Sequence, residues 1–199
     1  MKSLPAIAPR SLQNPATGDR LEILNSPLHG EEGPLVFRYE LPGHGKGSPL
    51  HRHGVLQETF AVESGALTIS LGREGERVLE RGEWLTIESG RLHGFHNASA
   101  SPVVFEGVVT PGAGFEKFLR VMYGLAADGA VGPDGSPLDW RALALALGYG
   151  DIVLPAVPVR LQQAVLGALR RAGRNAGLER DFDAYFPQTD HLAAAGATS

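Results

Sequence analysis

The sequence lacks cysteine and has no long uninterrupted apolar run. Without cysteine the chain can form no disulfide, no thiolate metal site and no cysteine nucleophile. The most apolar stretch, residues 152–169, is interrupted by two prolines, Arg160 and two glutamines, so it is a poor transmembrane candidate. Residues 1–11 contain two prolines and lack the sustained apolar core of a signal peptide. We therefore expect a cytoplasmic protein.

Basic residues are also outnumbered. The chain has 18 Lys and Arg against 22 Asp and Glu, a formal net charge of −4. Nucleic-acid-binding proteins usually present a net positive surface, so we expect no nucleic-acid partner. A hydrophobic fraction of 43% over 199 residues is ordinary for one globular domain with an appendage.

Short runs of β-forming residues separated by glycine-rich turns fill the first half of the chain. Leu67, Ile69 and Leu71 alternate along one of them and would share one face of a strand. Further strands are predicted over residues 35–41, 77–80, 83–87 and 102–109. Many short strands at such spacing are typical of a sandwich or a small barrel. We predict an all-β core over residues 17–112, preceded by an N-terminal arm over residues 1–16.

The apolar period changes after residue 113. Phe115, Phe118, Leu119 and Met122 recur at helical spacing, and residues 138–147 and 161–172 are two further helical candidates. We therefore predict an α-helical C-terminal extension over residues 113–186. Residues 187–199 are small and polar, and we expect them to form a flexible tail.

Two histidines one residue apart begin the most informative segment. In an extended chain His51 and His53 point to the same side. Glu58 would face the other way on one continuous strand, but Gly54 allows the chain to turn. The spacing therefore predicts a hairpin in which the returning strand aims Glu58 at the histidines. The same parity would place two apolar residues on this inner face, Phe60 and Val62.

A second segment, residues 82–97, adds another histidine. His93 follows a turn at Ser89-Gly90, Phe95 shares its face, and His96 points away by parity. Three imidazoles and one carboxylate converging inside a barrel would form a metal site, because burying them together without a metal is costly. Neutral imidazole suits iron, copper, nickel and zinc.

The two segments resemble the two motifs of the cupin superfamily. The first motif, G-x5-H-x-H-x3,4-E-x6-G, is matched by Gly45, His51, His53, Glu58 and Gly65. The second motif, G-x5-P-x-G-x2-H-x3-N, is matched by Gly82, Gly90, His93 and Asn97. Glu88 stands where the family usually has proline, which loosens a turn but removes no ligand.

The resemblance implies a small antiparallel β-barrel of the double-stranded β-helix or jelly-roll type. It implies one divalent metal ion (Fe, Mn, Ni, Cu or Zn) held by four side chains, His51, His53, Glu58 and His93. Four protein ligands would leave two positions of a six-coordinate ion open for catalysis. The chain is similar to single-domain cupins that include quercetin-dioxygenase-like proteins. Barrels of this family commonly pair, so we also expect a homodimer.

The first functional hypothesis is a mononuclear metal-dependent enzyme, dioxygenase-like, that acts on a small organic molecule. The alternatives are a metal-dependent isomerase or lyase, and a non-catalytic module that binds or senses a small molecule. A structural or storage cupin is the least favoured alternative, because the chain has one barrel with an intact ligand set. The sequence identifies no catalytic acid or base.

For several residues the sequence does not decide between a role in the site and a structural role. Phe60 and Phe95 line a pocket or fill the core. Three polar residues lie on strands that could face the cavity: Arg38, Tyr39 and Glu106. Arg38 and Tyr39 are adjacent, so at most one of them can point inward in a regular strand. Asn97 is expected to be a hydrogen-bonding turn residue, and His44 a solvated loop residue. The remaining histidines have no assigned partner: His29, His96 and His191.

Residues 159–180 carry five arginines against Glu179, a local charge of +4. They also carry an apolar helical stripe made of Leu161, Ala164, Val165, Ala168, Leu169 and Ala172. Such a helix could lie on an anionic membrane or dock on a partner. We expect instead that the stripe packs on the protein's own barrel or on a dimer partner.

Overall fold

The computed structural model describes residues 9–155 and 157–187. Its strands are β1 (Ser11–Gln13), β2 (Arg20–Asn25), β3 (Leu35–Leu41), β4 (Ser48–His53), β5 (Gln57–Ser64), β6 (Ala66–Ser70), β7 (Glu76–Glu80), β8 (Trp84–Ile87), β9 (His93–His96), β10 (Val103–Thr110) and β11 (Ile152–Val153). Its helices are α1 (Ala113–Ala127), α2 (Trp140–Tyr149), α3 (Val159–Asn175) and α4 (Leu178–Phe182). The predicted strands and the three predicted helices are present, whereas no specific prediction was made for β1, β2, β11 and α4.

The strands form two antiparallel sheets. One sheet has the order β1-β2-β3-β10-β5-β8 and the other has the order β11-β4-β9-β6-β7. This is the predicted jelly-roll or double-stranded β-helix fold, with helices following it at the C-terminal end. β1 lies within the segment predicted as an N-terminal arm and pairs with β2. Of the predicted tail, only Pro187 lies within the described residues.

The interior between the sheets is apolar and follows the strand period of two. β10 alternates between fully buried and partly exposed positions along most of its length. The same alternation buries side chains on neighbouring strands, among them Leu21, Ile23, Leu35, Phe37, Leu67 and Ile69. Burying one such side chain stabilises a fold by about 1.5–3 kcal/mol. Burial of these apolar side chains is the main contribution that holds the two sheets face to face.

The predicted hairpin between the histidines and Glu58 is wrong. β4 pairs with β9 and β11 in one sheet, whereas β5 pairs with β10 and β8 in the other. The turn at residues 54–56 therefore carries the chain from one sheet to the other. The expected common face is nevertheless present, because Glu58, Phe60 and Val62 are buried between the sheets.

Helix α1 belongs to two cores at once. Phe115, Leu119 and Tyr123 pack into the core between the sheets. On the other side of the helix, Val121 packs into a second cluster that also contains Ala142 of α2 and Phe182 of α4. The helical extension is therefore joined to the β-domain through shared packing.

The expected packing of the α3 stripe on the protein's own barrel is wrong. Leu161 is 55% exposed and Val165 is 49% exposed. Helix α3 instead buries Gln162 and Gly173. A Cβ atom at Gly173 would lie 2.9 Å from Leu145 Cδ1, so the glycine permits a close approach to α2. This approach turns the side of α3 that carries Leu161 and Val165 towards solvent.

Within the described residues, no helix is long and apolar enough to cross a membrane.

A buried ion pair fixes α1 to the N-terminal part of the chain. Glu116 and Arg120 are at most 1% exposed, and Arg120 Nε donates to Glu116 Oε1 at 2.8 Å. The same carboxylate accepts hydrogen bonds from the Ser26 hydroxyl at 2.7 Å and from the Leu28 backbone N–H at 3.1 Å. Arg120 Nη1 also donates to the Pro9 carbonyl at 3.0 Å.

Replacing Arg120 with methionine should strongly lower the free energy of unfolding. The substitution leaves the Glu116 carboxylate buried without its counterion, which typically costs about 3–5 kcal/mol. Urea unfolding followed by circular dichroism measures the loss. Arg38→Met is the matched control, because Arg38 pairs with Glu63 on the surface, where such pairs contribute about 0–1 kcal/mol. Equal effects of the two variants would contradict the structural role of the buried pair.

The homodimer expected from the family resemblance stays a prediction. Light scattering on the protein as it elutes from a size-exclusion column should give twice the mass of one chain across a range of concentrations. The mass of a single chain at the highest concentration would rule out the dimer.

Candidate metal centre

Three strands from the two sheets bring the four predicted ligands to one place. His51 and His53 alternate inward on β4, Glu58 lies on β5, and His93 lies on β9. His51 and His93 are direct cross-strand partners. All four side chains are buried, with exposures of 6% for His51, 2% for His53, 5% for Glu58 and 1% for His93.

The ligand atoms are close enough to share one ion. His93 Nε2 lies 2.7 Å from Glu58 Oε2, and His53 Nε2 lies 3.2 Å from the same oxygen. His51 Nε2 lies 3.1 Å from His53 Nε2. One ligand atom from each residue lies within 4.8 Å of all the others. Since metal–nitrogen bonds are about 2.1 Å long, neighbouring ligands of one ion lie roughly 3 Å apart, which these separations match.

Hydrogen bonds to backbone carbonyls determine which ring nitrogen of each histidine faces the cluster. The Nδ1 atoms of His51, His53 and His93 lie 2.8 Å from Pro49 O, 2.8 Å from Gly150 O and 3.0 Å from Arg91 O. A carbonyl oxygen only accepts, so each Nδ1 carries the hydrogen and donates it. When the rings are neutral, the three Nε2 atoms are therefore left as electron-pair donors, which is the tautomer that binds a metal. In a protonated ring Nε2 carries a hydrogen as well and can donate it to Glu58.

The buried side chains of the cluster shift one another's pKa values. Burial would raise the pKa of Glu58, but the hydrogen bonds and charges of His53 and His93 outweigh it and lower the pKa to about 2. Burial, together with the charge of His93, lowers the pKa of His51 to about 4. Burial also opposes charge on His53, but its hydrogen bond to Glu58 prevails and raises the pKa. A carboxylate and three imidazole nitrogens therefore share a buried space that needs either protons or a metal ion.

Aromatic side chains surround the cluster. The Phe115 ring of α1 packs edge-on against His53 with centroids 5.6 Å apart, and Phe60 lies 6.3 Å from His93. Phe60, Phe95 and Phe105 pack against one another with centroids 5.3–5.8 Å apart. Phe60 and Phe95 therefore help to fill the interior, and the wall next to the imidazoles is apolar.

Of the three polar candidates on the strands, Tyr39 is the one that packs inward. Its ring contacts Phe95 and Phe105, and its hydroxyl donates to Asp19 Oδ2 at 2.8 Å. Arg38 faces outward and pairs with Glu63 at 2.8 Å. Glu106 is the cross-strand partner of Arg38 and so lies on the same outer face.

Asn97 is a buried turn residue, as expected. Its amide donates to the carbonyls of Leu41, Pro42 and Ser101, and its oxygen accepts from the Ser99 backbone N–H and hydroxyl. Glu88, at the position of the family proline, accepts a hydrogen bond from Gln57 at 2.7 Å.

The other histidines lie apart from the cluster. His29 Nδ1 contacts the Ser26 hydroxyl at 2.6 Å. His44 is exposed. Together with His96, it lines a groove with a volume of about 410 Å³. The groove is also lined by Lys46, Ser48 and Phe95, and by none of the four predicted ligands. His191 lies outside the described residues.

One contributor to the site could not be predicted. Gly150, in the turn between α2 and β11, accepts the Nδ1 hydrogen of His53 through its carbonyl. Every residue has a backbone carbonyl, so no residue type marks this contact in the sequence. The short strand β11 pairs with β4 at His53 itself, and this pairing brings the carbonyl to the ring.

The fold and the cluster together define the class of protein: a jelly-roll domain with a buried His-His-Glu-His group that is compatible with a metal ion. A family model described as "Cupin domain" matches residues 37–110, which contain all four residues. This part of the chain, 74 of its 199 residues, is a cupin domain. The narrower likeness to quercetin-dioxygenase-like proteins stays a prediction.

Several solved structures are similar to about half of the chain. A sugar phosphate isomerase from a cupin superfamily of Silicibacter pomeroyi is 26% identical, with 48% of this chain and 61% of that chain covered and a TM-score of 0.42. A predicted oxalate decarboxylase from Thermotoga maritima is 20% identical, with 52% and 91% covered and a TM-score of 0.42. A Klebsiella pneumoniae protein with a double-stranded beta-helix domain is 23% identical, with 46% and 75% covered and a TM-score of 0.40. No curated protein matches the sequence.

Proposed function

We propose that the protein is a mononuclear metal-dependent enzyme that acts on a small organic molecule. His51, His53, Glu58 and His93 would hold one divalent transition-metal ion. The observation that carries the proposal is that all three histidines donate Nδ1–H to backbone carbonyls, which leaves their Nε2 atoms in one cluster with the Glu58 carboxylate. The Nε2 atoms of His53 and His93 lie against Glu58 Oε2, and that of His51 lies 3.1 Å from that of His53. Three nitrogen donors and one carboxylate suit iron, manganese, nickel, copper or zinc better than calcium or magnesium.

The residues of the site would orient the ion and limit its contact with water. The carbonyls of Pro49, Gly150 and Arg91 hold the three rings, and the exposure of each ligand is 6% or less. The four side chains supply one negative charge, so a divalent ion leaves the site with a charge of +1. In an apolar surrounding this charge favours a ligand with an anionic oxygen, such as an enolate or a carboxylate.

A bound ion would supply Lewis-acid polarisation of such an oxygen and, if it is redox-active, reaction with dioxygen. We place dioxygenase chemistry ahead of isomerase or lyase chemistry. The reason is the donor set, because three imidazoles and one carboxylate suit a redox-active metal ion.

The metal content of untagged protein tests the first half of the proposal. Wild-type protein purified without added metal should contain close to one transition-metal ion per chain by mass spectrometry of the digested protein. His51→Ala/His93→Ala should lose the ion, because half of the ligands are removed. His96→Ala is the matched control, since His96 lies on the same strand as His93 but outside the cluster, and it should keep the ion. Wild-type protein that stays metal-free after reconstitution would refute the site.

Oxygen consumption tests the second half. Metal-loaded protein should consume oxygen in the presence of at least one compound from a panel of flavonols, diketones and other molecules that form enolates. His51→Ala should consume none. If no compound is oxidised, a thermal-shift screen of the same panel and mass spectrometry of recovered ligand separate the alternatives. Rearranged or cleaved product would identify an isomerase or lyase. A ligand that stabilises the protein and is recovered unchanged would identify a binding or sensing module.

A further inference from the structure

The segment that follows α2 reaches back to the metal cluster. The Gly150 carbonyl accepts the Nδ1 hydrogen of His53 at 2.8 Å. Two residues further on, Ile152 is the antiparallel partner of His53 and Val153 is the partner of Arg52. The helical extension therefore adds an edge strand to the sheet at the position of a predicted ligand.

Asp151 closes a second contact between the same two segments. Its Oδ2 atom accepts the Val55 backbone N–H at 2.7 Å, in the turn that leaves β4. Asp151 has φ +50°, a left-handed conformation that Asp, Asn and Gly tolerate better than other residues. A Cβ atom at Gly54 would lie 3.2 Å from Asp151 Oδ1, so the glycine leaves space for the carboxylate.

His53 differs from the other two histidines in what holds its ring. The carbonyl acceptors of His51 and His93 belong to Pro49 and Arg91, each two residues away in the chain. The carbonyl acceptor of His53 lies 97 residues away. The local acceptors come with the β-domain itself, whereas the acceptor of His53 depends on the docking of the extension.

We propose that Asp151 is a positioning residue for the metal site. By binding the Val55 N–H, it holds the Gly150–Asp151 turn against β4, so that the Gly150 carbonyl keeps the hydrogen of His53 on Nδ1 and directs Nε2 to the metal. Without this contact His53 can take the other tautomer or rotate, and either change removes one ligand. The proposal rests on the proposed metal site and gives the helical extension a role in it.

Three substitutions at position 151 separate the carboxylate from the backbone conformation. Asp151→Asn keeps an acceptor and tolerates the positive φ, so it should behave as wild type. Asp151→Gly keeps the conformation but removes the acceptor, and Asp151→Ala removes the acceptor and disfavours the conformation. Asp139→Ala is the matched control, because Asp139 also accepts a backbone N–H, from Arg141 at 2.8 Å at the start of α2, away from His53.

The probe is Co²⁺, with its dissociation constant measured by chelator competition. Asp151→Gly and Asp151→Ala should bind Co²⁺ about tenfold or more weakly, as is typical when a partner of a ligating histidine is lost. Asp151→Asn and Asp139→Ala should bind as wild type. In the Co²⁺ protein, NMR should show three shifted ring N–H signals that exchange with solvent, and Asp151→Gly should speed the exchange of the His53 signal alone.

The metal-free protein supplies a readout that does not depend on Co²⁺. Its His53 Nδ1–H should be protected from solvent exchange in wild type and lose protection in Asp151→Gly. If wild type binds no Co²⁺ but shows this difference, the positioning of His53 stands and the metal site is refuted. If wild type binds Co²⁺ and Asp151→Gly changes neither affinity nor protection, the role of Asp151 is refuted. An equal loss of affinity in Asp139→Ala would reduce the effect to general destabilisation and also overturn the proposal.

Discussion

The structure depends on one electrostatic constraint, the meeting of four electron-pair donors in a buried interior. Three Nε2 atoms and a carboxylate lie within 4.8 Å of one another, each on a side chain that is at most 6% exposed. Such groups repel or lose hydration unless a cation lies among them. The surrounding contacts fit that requirement, because each histidine donates the hydrogen of its other ring nitrogen, Nδ1, to a carbonyl, and Phe115 and Phe60 pack next to the rings of His53 and His93.

The two sheets and the helices share the work of holding this arrangement. β4 and β9 carry the histidines in one sheet, and β5 carries Glu58 in the other, so the site exists only while the sheets face each other. Helix α1 contributes Phe115 to the side of His53, and the turn after α2 contributes the Gly150 carbonyl. The helical extension is thus tied to the site at two points, which gives a physical reason for a cupin domain to be continued by helices.

The periodicity of apolar residues predicted most strands and helices, but it did not predict which strand or helix packs against which. The period of two placed Leu67 and Ile69 inside, and the helical period located α1, α2 and α3. The same period of two gave Glu58 the correct face but the wrong neighbour, because alternation specifies a face of a strand and not the strand that pairs with it. For α3, the apolar stripe does not pack on the barrel, because the side of the helix that is buried carries Gln162 and Gly173. The alternative, packing of the stripe on a dimer partner, stays a prediction.

The sequence by itself determined the strand and helix pattern, because spacing along a strand or helix dictates which side chains share a face. The two motifs shared with the cupin family identified the four converging side chains. It also marked the turns, since Gly54 and Gly90 stand where the chain must reverse or cross. Only the tertiary structure decided that β4 and β5 belong to different sheets and that α3 leaves Leu161 in solvent. It alone joined the Gly150 carbonyl to His53. Every residue has a backbone carbonyl, so the hydrogen bond between the Gly150 carbonyl and a side chain 97 positions away depends on how the chain packs.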